Sequence, residues 1–556
     1  MRDQRQHPVL LLAFAAGAAC VGLAAVPTMN YAQAFAHPSR MEGNAGVIPD
    51  ATISGAGFFR LACAAAALLI PLLAWLLVQT CPSEPRAARR LLADLRRDRF
   101  LLGVLLALGA FLRVTVASES LWYDEISAFL SFAIEGPGVA FGSYAVPTNH
   151  VPMTLATWLA WTLTGGSLHE LTLRAPAILA GIATIPVGYA LGAAVGGRRL
   201  ARACAGVLAV APIAVLESAE ARGYPFVILG ACVAALALAR ADRTRAAGDY
   251  ALFVGASVFA AWSHPVAILL PIAAGVVGLF RDRRLVIACL LAGVCSSVLL
   301  SPLLGDLLAS RADYVQSTSD QPTVFSREGL ESLLGLALTW STGGWAATAV
   351  LVGCWCVGVY TLMTQGSSRT KRAQRVLLPF TIAFLLALAL ALTLGTWIYA
   401  RFLLFTVPSG ALLLAFATLT RSRHRNSEWI ALTLVVGASL LSLSQHPSKQ
   451  PIRDAVAVVA AARAPDDRVA TVGLPDNAVG FYTQQFGFEA TPTGFLGKDL
   501  AMTLERERPR FVVMLYPERV ETEVLRSLNA AYDRTLRLEG WADWGQGAVE
   551  VWERAR

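Results

Sequence analysis

A succession of apolar runs restricts this chain more than any other feature. They lie near 8–27, 57–80, 100–117, 172–195, 203–218, 225–240, 250–264, 265–280, 285–303, 345–364, 376–397, 401–420 and 428–445. Each approaches the roughly 17–25 residues that cross a hydrocarbon core as helix. Periods of 2 or 3.6 are weak within them, as expected for helices that meet lipid or other helices on all sides. Only 15% of the residues are charged, against about 25% in soluble domains. The chain is therefore expected to be an all-α polytopic membrane protein with about 13 transmembrane helices.

The basic residues fix an expected orientation. The formal net charge is +8, which in a soluble protein would suggest nucleic acid. Here the positive residues form short clusters between apolar runs. Arg86, Arg89, Arg90, Arg96 and Arg97 follow the second run, and Arg198, Arg199 and Arg202 the fourth. Arg240, Arg243 and Arg245 follow the sixth, and Arg281, Arg283 and Arg284 the eighth. Arg369, Lys371, Arg372 and Arg375 follow the tenth, and Arg421, Arg423 and Arg425 the twelfth. All fall on one side, which the positive-inside rule makes cytoplasmic, so no nucleic-acid partner is expected. The bookkeeping works only if 151–167 and 329–342 lie along the outer surface as juxtamembrane helices. The N-terminal run is long for a signal peptide and reads as an uncleaved helix. The nine cysteines, all within or at the end of apolar runs and without CxxC spacing, read as packing residues, with no structural disulfide indicated.

Three regions follow: 1–99, two N-terminal helices and a basic cytoplasmic linker; 100–445, a catalytic transmembrane domain; and 446–556, an extracytoplasmic domain. In the last, 468–474, 510–516 and 548–553 read as strands, and 454–464, 477–486 and 520–532 as helices, a small α/β domain. It has no Gly-rich phosphate loop, so nothing in it suggests nucleotide binding.

The chemistry-bearing residues gather in the outer loops. No Lys or Arg stands between Arg113 and Arg174, while Glu119, Asp124, Glu125, Glu135 and Glu170 do. In Glu119-Ser-Leu-Trp-Tyr-Asp-Glu, two carboxylates adjoin Trp122 and Tyr123, aromatics suited to the membrane boundary. A carboxylate there can act as general base on an acceptor hydroxyl or bind a divalent metal. The bland alternative is a solvated acidic loop. Further outer segments bring His150, the Glu170 and Arg174 pair, Glu220-Ala-Arg222-Gly-Tyr224, and Arg401. Arginine matches phosphate geometry, and the alternative for each is snorkelling to lipid headgroups. The middles of the spans show no Asp, Glu, Lys or Arg, which argues against an ion-coupled transporter.

Trp122-Tyr-Asp-Glu, His150-x-Pro152, Glu170 with Arg174, Glu220-Ala-Arg-Gly-Tyr224 and Tyr399-x-Arg401-Phe-Leu occur in this order. Together they resemble the membrane glycosyltransferases of the GT-C fold. More narrowly, they resemble bacterial relatives of dolichyl-phosphate-mannose protein mannosyltransferases and lipid A aminoarabinose transferases, over roughly 100–460. The resemblance implies an inverting, mannosyltransferase-like sugar transfer, hexosyl or pentosyl. The donor would be a polyprenyl-phosphate sugar and the acceptor a glycan, lipid or protein of the cell envelope. It implies a bacterial inner-membrane enzyme, and the charge bookkeeping with thirteen spans puts the site loops and the C-terminal domain on the extracytoplasmic side. The resemblance maps the catalytic aspartate onto Asp124, with Glu125 as neighbour. Arg222 and Arg401 are the expected phosphate ligands, with Arg174 and Lys449 as weaker candidates. His150, Glu220, Tyr224, Glu170 and Tyr123 would position the loop or the acceptor. His150-Val-Pro departs from the family's usual His-Pro-Pro, and Ala219 stands where it often has Gln. A divalent metal is left open. The competing readings are a transporter or flippase of lipid-linked sugars, and a non-catalytic envelope assembly protein.

Overall fold

The computed structural model describes residues 8–81, 88–310, 344–394, 399–418, 427–446, 448–473, 477–542 and 547–555. Every one of the thirteen apolar runs is largely helical over its described part. Among the described residues, eight helices are long and apolar enough to cross a membrane: Pro8–Ala25, Asp50–Thr80, Arg99–Ala117, Glu170–Gly196, Tyr224–Thr244, Arg283–Ala309, Ser368–Leu394 and Ala400–Ala417. The bent pair Arg198–Val210 and Pro212–Ala219 makes a ninth crossing if it is one broken span. The remaining runs form the shorter helices Ala247–Ser263, Pro265–Arg281, Ala349–Thr364 and Leu432–Ser444. The protein is thus a multi-pass membrane protein, in which eight or nine of the thirteen expected spans reach full length among the described residues. Val151–Leu163 is a short apolar helix at the site end, while 329–342 lies outside the described residues.

The two ends of the bundle differ in charge. At one end Asp98 binds Arg198 and Arg202, Arg284 donates to the Thr80 carbonyl, Arg372 to the Ala194 and Val195 carbonyls, and Arg375 to Asp242. The other end carries residues 118–150 and the C-terminal domain. The N-terminal hairpin packs Pro8–Ala25 on Asp50–Thr80, and His37 Nε2 reaches the Ser131 carbonyl.

The C-terminal domain is a mixed five-stranded sheet in the order β2-β1-β3-β5-β4, with β1 Val469–Gly473, β2 Thr491–Phe495, β3 Phe511–Leu515, β4 Tyr532–Leu538 and β5 Val549–Arg554. The first three pair in parallel, and β5 runs antiparallel to β3 and β4. Ile452–Ala462 and Asn477–Gln485 cover one face. That same apolar cluster includes Leu121, Ile126 and Phe129 of the first loop. The domain's core is therefore continuous with the loop that carries the carboxylates.

Arginines do lie inside spans, against expectation: Arg60 in Asp50–Thr80, which donates to the Ala24 carbonyl and Thr28, and Arg113. Arg113 is fully buried in Arg99–Ala117. Its guanidinium donates to the carbonyls of Gly109 (2.9 Å), Leu208 (3.1 Å), Ala209 (3.2 Å) and Ala214 (3.4 Å). The cause is Pro212. It has no N–H, so the Leu208 carbonyl loses its helical donor and the span bends by 59°. Arg113 supplies the missing donors. Arg113→Met is expected to lower stability by about 1–3 kcal/mol, the usual cost of stranding buried carbonyls, measured by thermal unfolding in detergent. An unchanged transition would show that the bend holds itself.

Candidate active site

The site is assembled from four segments that the fold gathers at one end of the bundle. The first is a short helix, Tyr123–Ala128, whose first turn holds Asp124 and Glu125. Acidic groups suit a helix N-terminus, where N–H groups are unpaired. The second is the connection from Pro212–Ala219 to Tyr224–Thr244, which carries Glu220 and Arg222. The third is the start of Ala400–Ala417, with Arg401. The fourth is the entry to the C-terminal domain, with Lys449.

The adjacent carboxylates have opposite environments. Glu125 is 1% exposed and fully engaged. Its oxygens take both Nε (2.8 Å) and Nη2 (2.5 Å) of Arg174, and they also accept from the backbone N–H groups of Ala221 (2.5 Å) and Trp122 (3.2 Å). Arg174 spends its other donors on the carbonyls of Ala117, Glu119 and Ser120. Asp124 faces outward, with 16% of its side chain exposed. Its Oδ2 lies 3.3 Å from Arg222 Nη2 and 3.9 Å from Arg401 Nη1. Arg222 is braced by the Thr148 carbonyl at 3.0 Å.

Aromatic faces hold the cations. Arg401 stands 4.7 Å from the Tyr399 ring centre, 5.7 Å from Tyr224 and 5.9 Å from Trp122. Arg222 is also 5.7 Å from Tyr224. His150 packs edge-on against Tyr224 at 5.0 Å, and its Nδ1 meets the Ser263 carbonyl at 2.9 Å. Burial, then Arg222, His264 and Arg401, hold its pKa far below the ordinary imidazole value. It is neutral at physiological pH.

Several candidates sit beside this centre rather than in it. Lys449 Nζ binds Glu220 at 2.7 Å and lies between the rings of Trp122 (4.1 Å) and Trp541 (4.6 Å). It therefore ties the C-terminal domain to the loop. Glu170 pairs with Arg453 at 2.9 Å and accepts from the Tyr482 hydroxyl at 3.1 Å. That hydroxyl in turn accepts from the Leu121 N–H at 2.7 Å. The Tyr123 N–H donates to Gln450 Oε1 at 3.0 Å, and its ring meets Tyr516 edge-on at 6.5 Å. Tyr482, Gln450 and Arg453 escaped sequence reading because they lie in the α/β domain, where no motif marks them. His264, between two short apolar runs, was also missed. Among the described residues, no three His, Cys, Asp or Glu side chains converge as metal ligands would.

No protein-family profile and no curated protein matches the chain. Solved structures do. The apo form of ArnT from Cupriavidus metallidurans superposes with a TM-score of 0.50 at 12% identity, covering 82% of this chain and 98% of ArnT. The chain has the GT-C fold. ArnT bound to undecaprenyl phosphate aligns with a TM-score of 0.49 at 13% identity, over the same shares. Archaeoglobus fulgidus oligosaccharyltransferase AglB, in complex with an inhibitory peptide and a dolichol-phosphate, aligns with a TM-score of 0.45 at 12% identity, covering 83% of this chain and 74% of AglB. In GT-C terms the long loop 118–150 and the small α/β domain stand together at one end of the helical bundle.

Proposed function

We propose that the protein is an inverting glycosyltransferase that moves a sugar from a polyprenyl-phosphate donor to a hydroxyl of a cell-envelope acceptor. The observation that carries this is the carboxylate of Asp124 between the guanidinium groups of Arg222 and Arg401, at the part-exposed edge of a buried cluster. Two guanidinium groups on one oxyanion match a phosphate. A donor phosphate seated there takes over their contact with Asp124, and the carboxylate is released toward the acceptor. Asp124 then accepts the hydroxyl proton as the acceptor oxygen bonds to the anomeric carbon. The anomeric carbon–phosphate oxygen bond breaks on the opposite side, and the arginines stabilise the charge left on the lipid phosphate. Glu125 and Arg174 take structural roles under this reading, and Lys449 a clamping one.

The basic end of the bundle is assigned to the cytoplasm of a bacterial inner membrane. The site and the C-terminal domain then face outward. Resemblance of the Trp122-to-Arg401 motifs to polyprenyl-phosphate sugar transferases supports the choice of donor.

The test uses undecaprenyl phosphate, the lipid found with ArnT, and the purified full chain in detergent. Binding is expected by native mass spectrometry, and Arg401→Ala is expected to weaken it about 10–100-fold, the worth of a hydrogen bond to a charged group. Transfer from an undecaprenyl-phosphate sugar must make a new glycosidic bond. A flippase would move the lipid between leaflets of a vesicle and make none. Wild-type protein that does not bind the lipid sinks the proposal.

A further inference from the structure

Of the titratable groups left without a task, the half-buried His264 is the one whose surroundings point to a ligand. It lies between Ala247–Ser263 and the 3-10 turn Pro265–Ile268. Its ring is 5.5 Å from His150, 6.0 Å from Tyr224 and 4.8 Å from Phe402, the neighbour of Arg401. Arg222, Arg401, His150 and His264 therefore all border the one buried ring of Tyr224. The turn that carries His264 cannot move away from this cluster without losing its packing. A Cβ on Gly223 would lie 2.6 Å from the Ser263 carbonyl and 2.7 Å from His150 Nδ1. The glycine after Arg222 thus lets the 263–264 turn press against the phosphate-facing segment.

The tautomer follows from the local bonds. His264 Nδ1 accepts from the Val266 N–H, at a long 3.4 Å, as the N-cap of the 3-10 turn. The neutral ring then carries its proton on Nε2. Beside the guanidinium groups of Arg401 and Arg222 a further positive charge is disfavoured, so the ring serves as a neutral donor. The side chain is partly exposed, and no hydrogen bond to Nε2 is made among the described residues.

Resting on the glycosyl-transfer reading, we infer that His264 is a third ligand of the donor phosphate. Its Nε2–H donates to a phosphate oxygen beside Arg222 and Arg401. The proton stays on the ring throughout, and the group adds a donor without adding a third positive charge. A lysine or arginine there would have to share a buried space with two guanidinium groups, at the cost of like-charge repulsion.

Three substitutions separate this role from capping. Asparagine keeps an oxygen near the Nδ1 position, a good N-cap, but has no donor at the Nε2 position. Glutamine places an amide N–H near Nε2 and loses the local cap. Full-length protein in detergent is titrated with undecaprenyl phosphate. His264→Ala and His264→Asn are each expected to weaken binding about tenfold or more. His264→Gln is expected to recover most of that loss. In 15N-histidine-labelled protein, the lipid phosphate should shift the His264 Nε2–H signal. The inference is overturned if Asn binds as well as wild type and Gln does not, which would make His264 a cap only. It is also overturned if all three variants bind as wild type does while Arg401→Ala does not. Wild-type protein that fails to bind undecaprenyl phosphate removes the parent reading instead.

Discussion

Asp124→Asn is expected to lower sugar transfer by about 10²–10⁴-fold, the range that a positioned general base contributes, while the protein still inserts and folds. The side chain is part exposed and its described ionic partners are the two arginines; the amide leaves the buried Arg222 with the Thr148 carbonyl but without this counter-charge, so a modest loss of stability accompanies the loss of turnover. The variant should also bind undecaprenyl phosphate at least as tightly as wild type. In the wild type the phosphate must displace a carboxylate from Arg222 and Arg401, whereas in the variant it displaces a neutral amide. Loss of turnover with binding retained or improved is a pairing that misfolding does not produce. Comparable turnover in the variant, measured with an undecaprenyl-phosphate sugar, would remove Asp124 as the base. Weaker binding would mean that the carboxylate helps to hold the donor or its arginines in place.

Much of this architecture was legible because a membrane makes apolar length informative. All thirteen runs are largely helical over their described parts, with Ala247–Ser263 and Pro265–Arg281 among the shorter helices. The α/β domain shows what pattern reading sees. The central strands β1, β3 and β5 are the buried ones, and these three were recognised. The two that were missed, β2 and β4, are the edges of the sheet. β2 contains Pro492 and Gly494, and β4 reads Tyr-Asp-Arg-Thr-Leu-Arg-Leu. Proline and exposed charge are how edges are kept from pairing further, and they also erase the apolar signal. Part of the helix expected over 520–532 is real, as Thr522–Asn529, but the chain turns into β4 by Tyr532.

The residues of the candidate site were legible in the sequence, but their division of labour was not. Asp124 and Glu125 are neighbours in sequence, and only the packing of Arg174 beneath the loop shows that one is consumed by the scaffold. The expected absence of charge from span interiors failed at Arg113 because the Pro212 bend creates orphaned carbonyls there. A hydropathy pattern carries no trace of where a carbonyl has lost its donor.

The consumed pair should give the largest stability effect in the protein. Arg174→Met leaves Glu125 buried with its backbone donors but no cation, and breaking a buried pair from one side costs about 3–5 kcal/mol. It also strands the carbonyls of Ala117, Glu119 and Ser120, so thermal unfolding in detergent should move down strongly. Pairing it with Glu125→Gln should return part of the loss. The amide carries no charge to desolvate and can still accept from the Ala221 N–H. The two substitutions should therefore be far from additive, with a coupling of about 0.5–3 kcal/mol as for residues in direct contact. Because Ala221 adjoins Arg222, undecaprenyl phosphate binding in Arg174→Met should weaken even where the protein is still folded. An Arg174→Met protein with wild-type unfolding, or a double variant whose losses simply add, would show that the Glu125 contact does not hold the loop.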